Sequence, residues 1–437
     1  MNKFPCENLS VNEQGHLLFA GQNTVALAGQ YGTPLYLMDE ERIRHNCRVY
    51  TEAFRASFGN NALPLYASKA CSFGGMYRIV QEERLGIDVV SCGEIYTACR
   101  AGFPMEKAYF HSNNKTDEDI RFAMDHGVGC FVADHREEVE AIEAEAARRG
   151  IRQKLLLRLT PGIDPHTYEA VATGKVDSKF GTAIETGQAD EILDYALSLK
   201  HIELAGFHCH VGSQVFAEDV FERSVRVMLR YMAGARKRCG FVARELDLGG
   251  GYGVRYTADE PTLDIGKKIA SVAATLKDCC EEYGYPIPFL LMEPGRSIVA
   301  DAGLTLYTVG SVKRIPGYKN YVSIDGGMTD NPRYALYGSA YTVLPADNMN
   351  AERALPCSLV GRCCESGDII QENITLPADT QRGSLVAVCT TGAYNYSMAS
   401  NYNRLPRPPI VLLNGGKSEL AVRRESLDDI VRLDIME

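Results

Sequence analysis

Residues 63–91 read LPLYASKACSFGGMYRIVQEERLGIDVVS. Two apolar, β-rich runs, LPLYASK (63–69) and GIDVVS (86–91), flank a charged segment of helical period. This is one β/α/β unit, and the pattern continues on both sides of it. The runs KAYFHS (107–112), GCFVAD (129–134), KLLLRLT (154–160), ELAGFHCH (203–210), ELDLG (245–249) and PFLLME (288–293) read as further strands, each followed by a helical stretch or long loop. Eight such repeats predict a closed parallel (β/α)8 barrel, with an open doubly wound sheet as the competing arrangement.

After about residue 300 the texture changes. LTLYTVGSVKRI, NYVSIDGG, CSLVGR, DIIQENITL, GSLVAVCT and PPIVLLNG are strand-like and separated by turn signals, which predicts an antiparallel β-sandwich domain. GHLLFAGQNTVALAG near the start also reads as strands that join it. The expected division is an α/β barrel over 35–300 and a β-sandwich from 1–34 and 301–437.

Composition narrows the function. Of 437 residues, 45% are hydrophobic and 23% charged, as in ordinary globular chains. A net charge of −10, with no long basic run, argues against nucleic-acid partners. No apolar stretch approaches the roughly 18–20 residues of a membrane span, and MNKFPCENLS lacks the apolar core of a signal peptide. The fourteen cysteines have no repeating spacing, which suits reduced thiols and a cytoplasmic location. No CxxC or ligand-spaced His/Cys cluster points to a metal.

Polar residues collect where such a barrel keeps its working groups, at the C-terminal strand ends. Lys69, Ser91, His111, Arg158, His208 with His210, the glycines 249–253 and Glu293 end seven of the eight strands. A strand lysine ordinarily lays its stem along the wall and its head in water. Here the small neighbours Ala67, Ser68, Ala70 and Cys71 leave room for an adduct, the setting of a Schiff-base lysine. HCHVGSQ (208–214) places His208 and His210 on one face of a strand, as core histidines or as a ring stacked on a planar cofactor; third and fourth metal ligands are not evident. DLGGGYG (247–253) offers bare amides to a phosphate, or is only a tight turn. In MEPGRS (292–297), Glu293 and Arg296 are a salt bridge or, with a pyridine ring present, Glu293 is the partner of its nitrogen. Together these describe the needs of pyridoxal 5′-phosphate.

The residues then resemble a known family. YASKA, IDVVSCGE, HSNNKT, TGKVDSKFG, HCHVGSQ, DLGGGYG, EPGR, DNPRYALYG, CCESGD and GAYN run in order along nearly the whole chain. They resemble the fold-type III pyridoxal-phosphate-dependent decarboxylases, most closely the diaminopimelate decarboxylases. The resemblance implies an alanine-racemase-like barrel with a β domain built from both chain ends. It implies that Lys69 binds the cofactor aldehyde, with Asp88 near it, His210 stacked on the ring and Glu293 at the ring nitrogen. Ser213, Gly250, Gly251, Gly253, Pro294, Gly295 and Arg296 fall at the phosphate contacts and the cofactor-site turn. Arg296, Arg333 and Tyr337 match residues that hold substrate carboxylates, Glu365 the acid at the distal amino-acid centre, and Tyr394 a tyrosine near both ligands. Cys364 matches the proton donor, on a segment supplied by the partner subunit of a homodimer.

The implied reaction is decarboxylation of meso-2,6-diaminopimelate to L-lysine. The alternatives are a decarboxylase of D-ornithine, D-lysine or carboxynorspermidine, or a non-catalytic cofactor-binding homologue. Two departures stand out. GRCCES has Arg362 and Cys363 where the family usually has glycine–proline before CES, which leaves Cys363 and Cys364 both as candidate thiols, with Cys364 in the motif register; HSNNKT has Ser112 where glycine is common.

Overall fold

In the computed structural model, which describes residues 4–163 and 178–435, all eight expected runs are strands. They are β1 (Ala62–Ala67), β2 (Gly86–Val89), β3 (Ala108–Phe110), β4 (Cys130–Ala133), β5 (Gln153–Thr160), β6 (Ile202–His208), β7 (Glu245–Asp247) and β8 (Phe289–Met292). Each pairs in parallel with the next, and β8 pairs with β1, so the barrel closes. Parallel neighbours need crossovers. The helices Gly74–Glu82, Cys92–Arg100, Asp117–Asp125, Arg136–Arg149, Gln188–Ser198, Val220–Cys239 and Ile265–Tyr283 provide them after β1 to β7.

Local chemistry sets where these helices begin and end. Thr116 and Asp119 form a reciprocal capping box at the start of Asp117–Asp125. The helix Arg136–Arg149 carries Glu137 and Glu138 in its first turn and Arg148 and Arg149 in its last, complementing the helix dipole, and stops at left-handed Gly150. Leu65, Tyr109, Cys130, Val132, Leu156, Ala205 and Leu291 pack together from six of the strands, so the barrel is a filled core and not a pore. Lys115 is buried and ties two strand ends. Its Nζ donates to Val132 O (2.7 Å) and pairs with Glu138, whose other oxygen accepts the Asp134 N–H (3.1 Å).

The chain forms two units. One comprises Asn46–Gly253 and Thr262–Gly295; the other comprises the residues through His45, Val254–Pro261 and those from Arg296 onward. The second unit corrects one expectation, for its main sheet is mixed and not antiparallel. Strand Leu35–Asp39 runs parallel to Ile410–Asn414, and Asn320–Ile324 runs parallel to Arg353–Val360, while the remaining pairings are antiparallel. The period-2 pattern that identifies a strand carries no information about its direction. A small three-stranded sheet at Leu9–Val11, Leu17–Phe19 and Gln22–Asn23 contributes Leu9, Leu17 and Phe19 to the same core as Leu35, Leu304 and Val411. No helix among the described residues is long and apolar enough to cross a membrane.

Candidate active site

Lys69 lies two residues past the end of β1, on the 3-10 turn Ser68–Ala70. The register of β1 against β2 sets Ala67 opposite Asp88. The Lys69 ammonium therefore meets the Asp88 carboxylate, which is fully buried although the lysine side chain is 40% exposed. That pairing, which the resemblance implied and spacing alone does not reveal, supplies the counter-charge that the neighbours of Lys69 lack.

From Asp88 a line of polar side chains crosses the rim. Asp88 Oδ1 is 4.0 Å from His111 Nε2, which lies 2.8 Å from Glu293 Oε1; the same oxygen is 3.3 Å from His208 Nε2. The two imidazoles meet edge to face, with centroids 4.8 Å apart. Burial lowers His208 to about 4, against the pull of Glu293. Burial alone would raise Glu293, but the flanking His111 and His208 outweigh it and hold the carboxyl well below its usual range. Asp247, at the end of β7, is pushed well above the usual carboxylate range by burial and by Glu293 beside it. Its Oδ1 accepts the Gly249 N–H at 2.8 Å.

Sequence reasoning left His111 without a role and missed Asp247 altogether. An acid inside the otherwise apolar run LDL was the available signal. His111, His208, Asp247 and Glu293, all buried, bring donor atoms within 4.8 Å of one another, a grouping that the sequence did not show. His208 and His210 do not share a strand, because β6 ends at His208 and His210 belongs to the following loop. Ser91 caps the helix Cys92–Arg100 by accepting the Glu94 N–H. Arg158 is buried, with its guanidinium 4.5 Å from the Phe180 ring centroid and Nε 3.8 Å from Asp134. Residues 173–177 of TGKVDSKFG lie outside the described residues.

The loops after β6 and β7 form one platform. Val215 N–H donates to Gly251 O (2.9 Å) and Gly253 N–H to Val215 O (3.0 Å), while Gly250 N–H donates to His210 Nδ1 (3.2 Å). Burial lowers the His210 pKa well below its ordinary value, so its ring is neutral. The glycines have a packing reason of their own. A Cβ on Gly250 would overlap Glu293 O, one on Gly251 would overlap Gly212 O beside Ser213, and one on Gly253 would sit 2.7 Å from the Phe216 ring. Across the barrel seam Ala67 N–H donates to Pro294 O (3.1 Å). A Cβ on Gly295 would stand 2.9 Å from that of Ala67 and 3.1 Å from that of Ala70, so its absence lets the Glu293 turn approach the Lys69 turn.

Arg296, Arg333, Tyr337 and Tyr394 belong to the mixed-sheet unit and cluster there. Arg296 donates to Tyr256 Oη (2.7 Å) and lies 4.7 Å from the Tyr394 ring centroid. Arg333, 6% exposed, lies 5.1 Å from the ring centroid of Tyr337 and 5.3 Å from that of Tyr394. It makes no carboxylate ion pair among the described residues, and its Nε has no hydrogen-bond partner. Tyr394 holds φ at +60°, unfavourable for a side chain of that size. Cys364 and Glu365 are exposed on the hairpin 361–368, whereas Cys363 is half-buried and its thiol is pushed up to about 11 by burial and by Asp368.

Residues 40–300 match the pyridoxal-binding domain of the pyridoxal-dependent decarboxylases. The chain is 43% identical to the diaminopimelate decarboxylase of Bacillus subtilis, over 97% of this chain and 96% of that protein. This chain belongs to the diaminopimelate decarboxylase family. The family enzyme of Staphylococcus aureus is 40% identical over 96% of this chain and 98% of its own. The crystal structure of diaminopimelate decarboxylase from M. jannaschii in complex with L-lysine superposes with a TM-score of 0.90 at 31% identity, covering 99% of both chains.

The family's cofactor is pyridoxal phosphate, and the rim fits it. His208 Nδ1 and Asp88 Oδ1 are buried without a hydrogen bond, beside the Glu293 carboxylate, a lysine amine, a neutral imidazole and a glycine turn with no room for a Cβ. Those groups suit a ring nitrogen, an aldehyde, a ring face and a phosphate respectively.

Proposed function

We infer that this chain decarboxylates meso-2,6-diaminopimelate, releasing CO2 and L-lysine, with pyridoxal 5′-phosphate as cofactor. Family membership over nearly the whole chain supports the reaction. The observation that carries the substrate is Arg333: a guanidinium sequestered among tyrosines, with no carboxylate paired to it among the described residues, calls for an anionic ligand. A substrate with a second carboxylate answers that demand. D-lysine or D-ornithine would leave a buried charge unpaired and be rejected for that reason.

Bound pyridoxal phosphate supplies an aldehyde to condense with an amine and a ring that accepts the electron pair left when CO2 departs. The protein's own groups do the rest. Lys69 holds the cofactor through its amine, kept beside Asp88. Glu293, its charge favoured by two imidazoles, keeps a proton on the ring nitrogen. His210 gives the ring a flat neutral face, while Ser213, Gly250, Gly251 and Gly253 take the phosphate. Arg296, Arg333 and Tyr337 bind substrate carboxylates, with Tyr394 alongside and Glu365 at the distal ammonium. Cys364 then gives a proton to the carbon that lost CO2.

The exposure of Cys364 and Glu365 in the single chain supports a homodimer in which this hairpin completes the partner's site. Mixing Lys69→Ala and Cys364→Ala subunits should then restore about a quarter of wild-type activity, since half of random dimers hold one intact site. Incubating the holoenzyme with meso-diaminopimelate, D-lysine and D-ornithine, and following CO2 release, tests the substrate. Turnover of meso-diaminopimelate alone is expected; equal turnover of D-lysine would overturn the assignment.

A further inference from the structure

The motif CCESGD (363–368) contributes a cysteine and a glutamate to the proposed reaction and leaves its aspartate without a role. We propose that Asp368 is a positioning residue: its carboxylate clasps the hairpin bearing Cys364 and Glu365 to the segment bearing Arg333, so that one buried group holds both the proton donor and the carboxylate anchor. This rests on the function proposed above.

The geometry is specific. Asp368 is 3% exposed and accepts one N–H from each segment: Cys363 N to Oδ2 at 2.7 Å, and Met328 N to Oδ1 at 2.6 Å. It forms no ion pair with Lys, Arg or His among the described residues, so backbone amides carry its charge. The hairpin closes on the same residue, through Gly361 N–H to Asp368 O (3.0 Å) and Asp368 N–H to Glu365 O (3.2 Å). A second tie runs from Arg362 N–H to Gly326 O (3.0 Å), a bond that a proline at 362 could not donate. On the other side, Asp330 accepts the Gly327 N–H (2.9 Å) and fixes the turn that leads through Asn331 and Pro332 to Arg333.

Two glycines point to the same purpose. A Cβ on Gly327 would stand 2.6 Å from Asp368 Oδ2, and one on Gly361 would overlap the carboxylate. Neither glycine has positive φ, so neither is required by turn geometry. What they permit is the approach of two backbone segments to one carboxylate.

Two variants test the clasp by different means. Asp368→Asn keeps the shape but turns an NH2 toward one of the two amides, and Gly361→Ala keeps the charge but drives a methyl into it. Each should lower turnover per cofactor-bound site by about 100-fold, the scale of an ångström-level misplacement, with cofactor absorption and affinity unchanged. Backbone hydrogen exchange over 361–368 and 326–333 should accelerate together, in apoprotein and holoprotein alike. Turnover near wild type in both variants, or faster exchange in only one segment, would overturn the proposal. If Asp368→Asn does not fold, Gly361→Ala carries the same decision. If the wild type proves unable to decarboxylate diaminopimelate, the proposed function fails while the exchange measurement still decides the clasp.

Discussion

At the barrel rim, buried charged groups have polar partners: Lys69 pairs with Asp88, and Glu293 lies 2.8 Å from His111 Nε2 and 3.3 Å from His208 Nε2. Around Arg333 the surroundings are tyrosine faces and a serine hydroxyl 3.4 Å away. The contrast separates two tasks. A compensated rim stays stable while it holds a resident cofactor, whereas an uncompensated guanidinium is stabilised chiefly by the ligand it waits for. Removing a rim residue should therefore damage cofactor retention. Removing Arg333 should damage substrate use and leave the cofactor in place.

The largest effect is expected from Lys69→Ala. It should lose the visible absorption of lysine-bound cofactor and, by comparison with other covalent catalysts, on the order of 10⁴-fold or more in turnover. Near-normal turnover would sink the assignment of the rim. Arg333→Met should bind cofactor normally yet lose about 100–1000-fold in kcat/KM for diaminopimelate, the cost of leaving a buried carboxylate without its partner. If the variant sheds its cofactor as well, the division of labour is wrong.

A smaller effect concerns pH. His208 titrates at about 4 when folded and near 6.5 when unfolded, so below 6.5 the unfolded chain binds a proton that the folded chain refuses. Stability is whole above that point and falls as pH drops toward 4, by on the order of 3 kcal/mol. Urea titrations of His208→Asn should show that part of the slope missing. The smallest effect is Ser112→Gly. Ser112 holds φ at +120°, so glycine should raise stability by about 1 kcal/mol, read as a higher melting temperature.

Much of the barrel was legible because each strand is an apolar run ending in a polar residue, and that alternation is written along the chain. Lys69, His210 and Glu293 could be picked out as unusual residues at strand ends. Asp88 beside Lys69 was legible only through the resemblance, because the two meet through parallel register, and Asp247 beside Glu293 was not legible at all, because they meet across neighbouring strands. A serine after a strand equally begins the next helix, and Ser91 does so. The mixed sheet was misjudged because Leu35–Asp39 and Ile410–Asn414, hundreds of residues apart, pair in a direction that their side chains do not announce. Around Arg333 the residues were found by resemblance, and their clustering is a property of the fold alone.

Gly295 has a consequence for how this enzyme could change. At the seam the bare α-carbon of Gly295 faces Ala67 and Ala70, with the amine-bearing turn on one side and the carboxylate-bearing turn on the other. Even alanine there would wedge the seam open and carry the Lys69 turn away from the Glu293 turn. The catalytic span is thus gauged by a missing methyl, and evolution can widen the pocket at its loops far more readily than at that point.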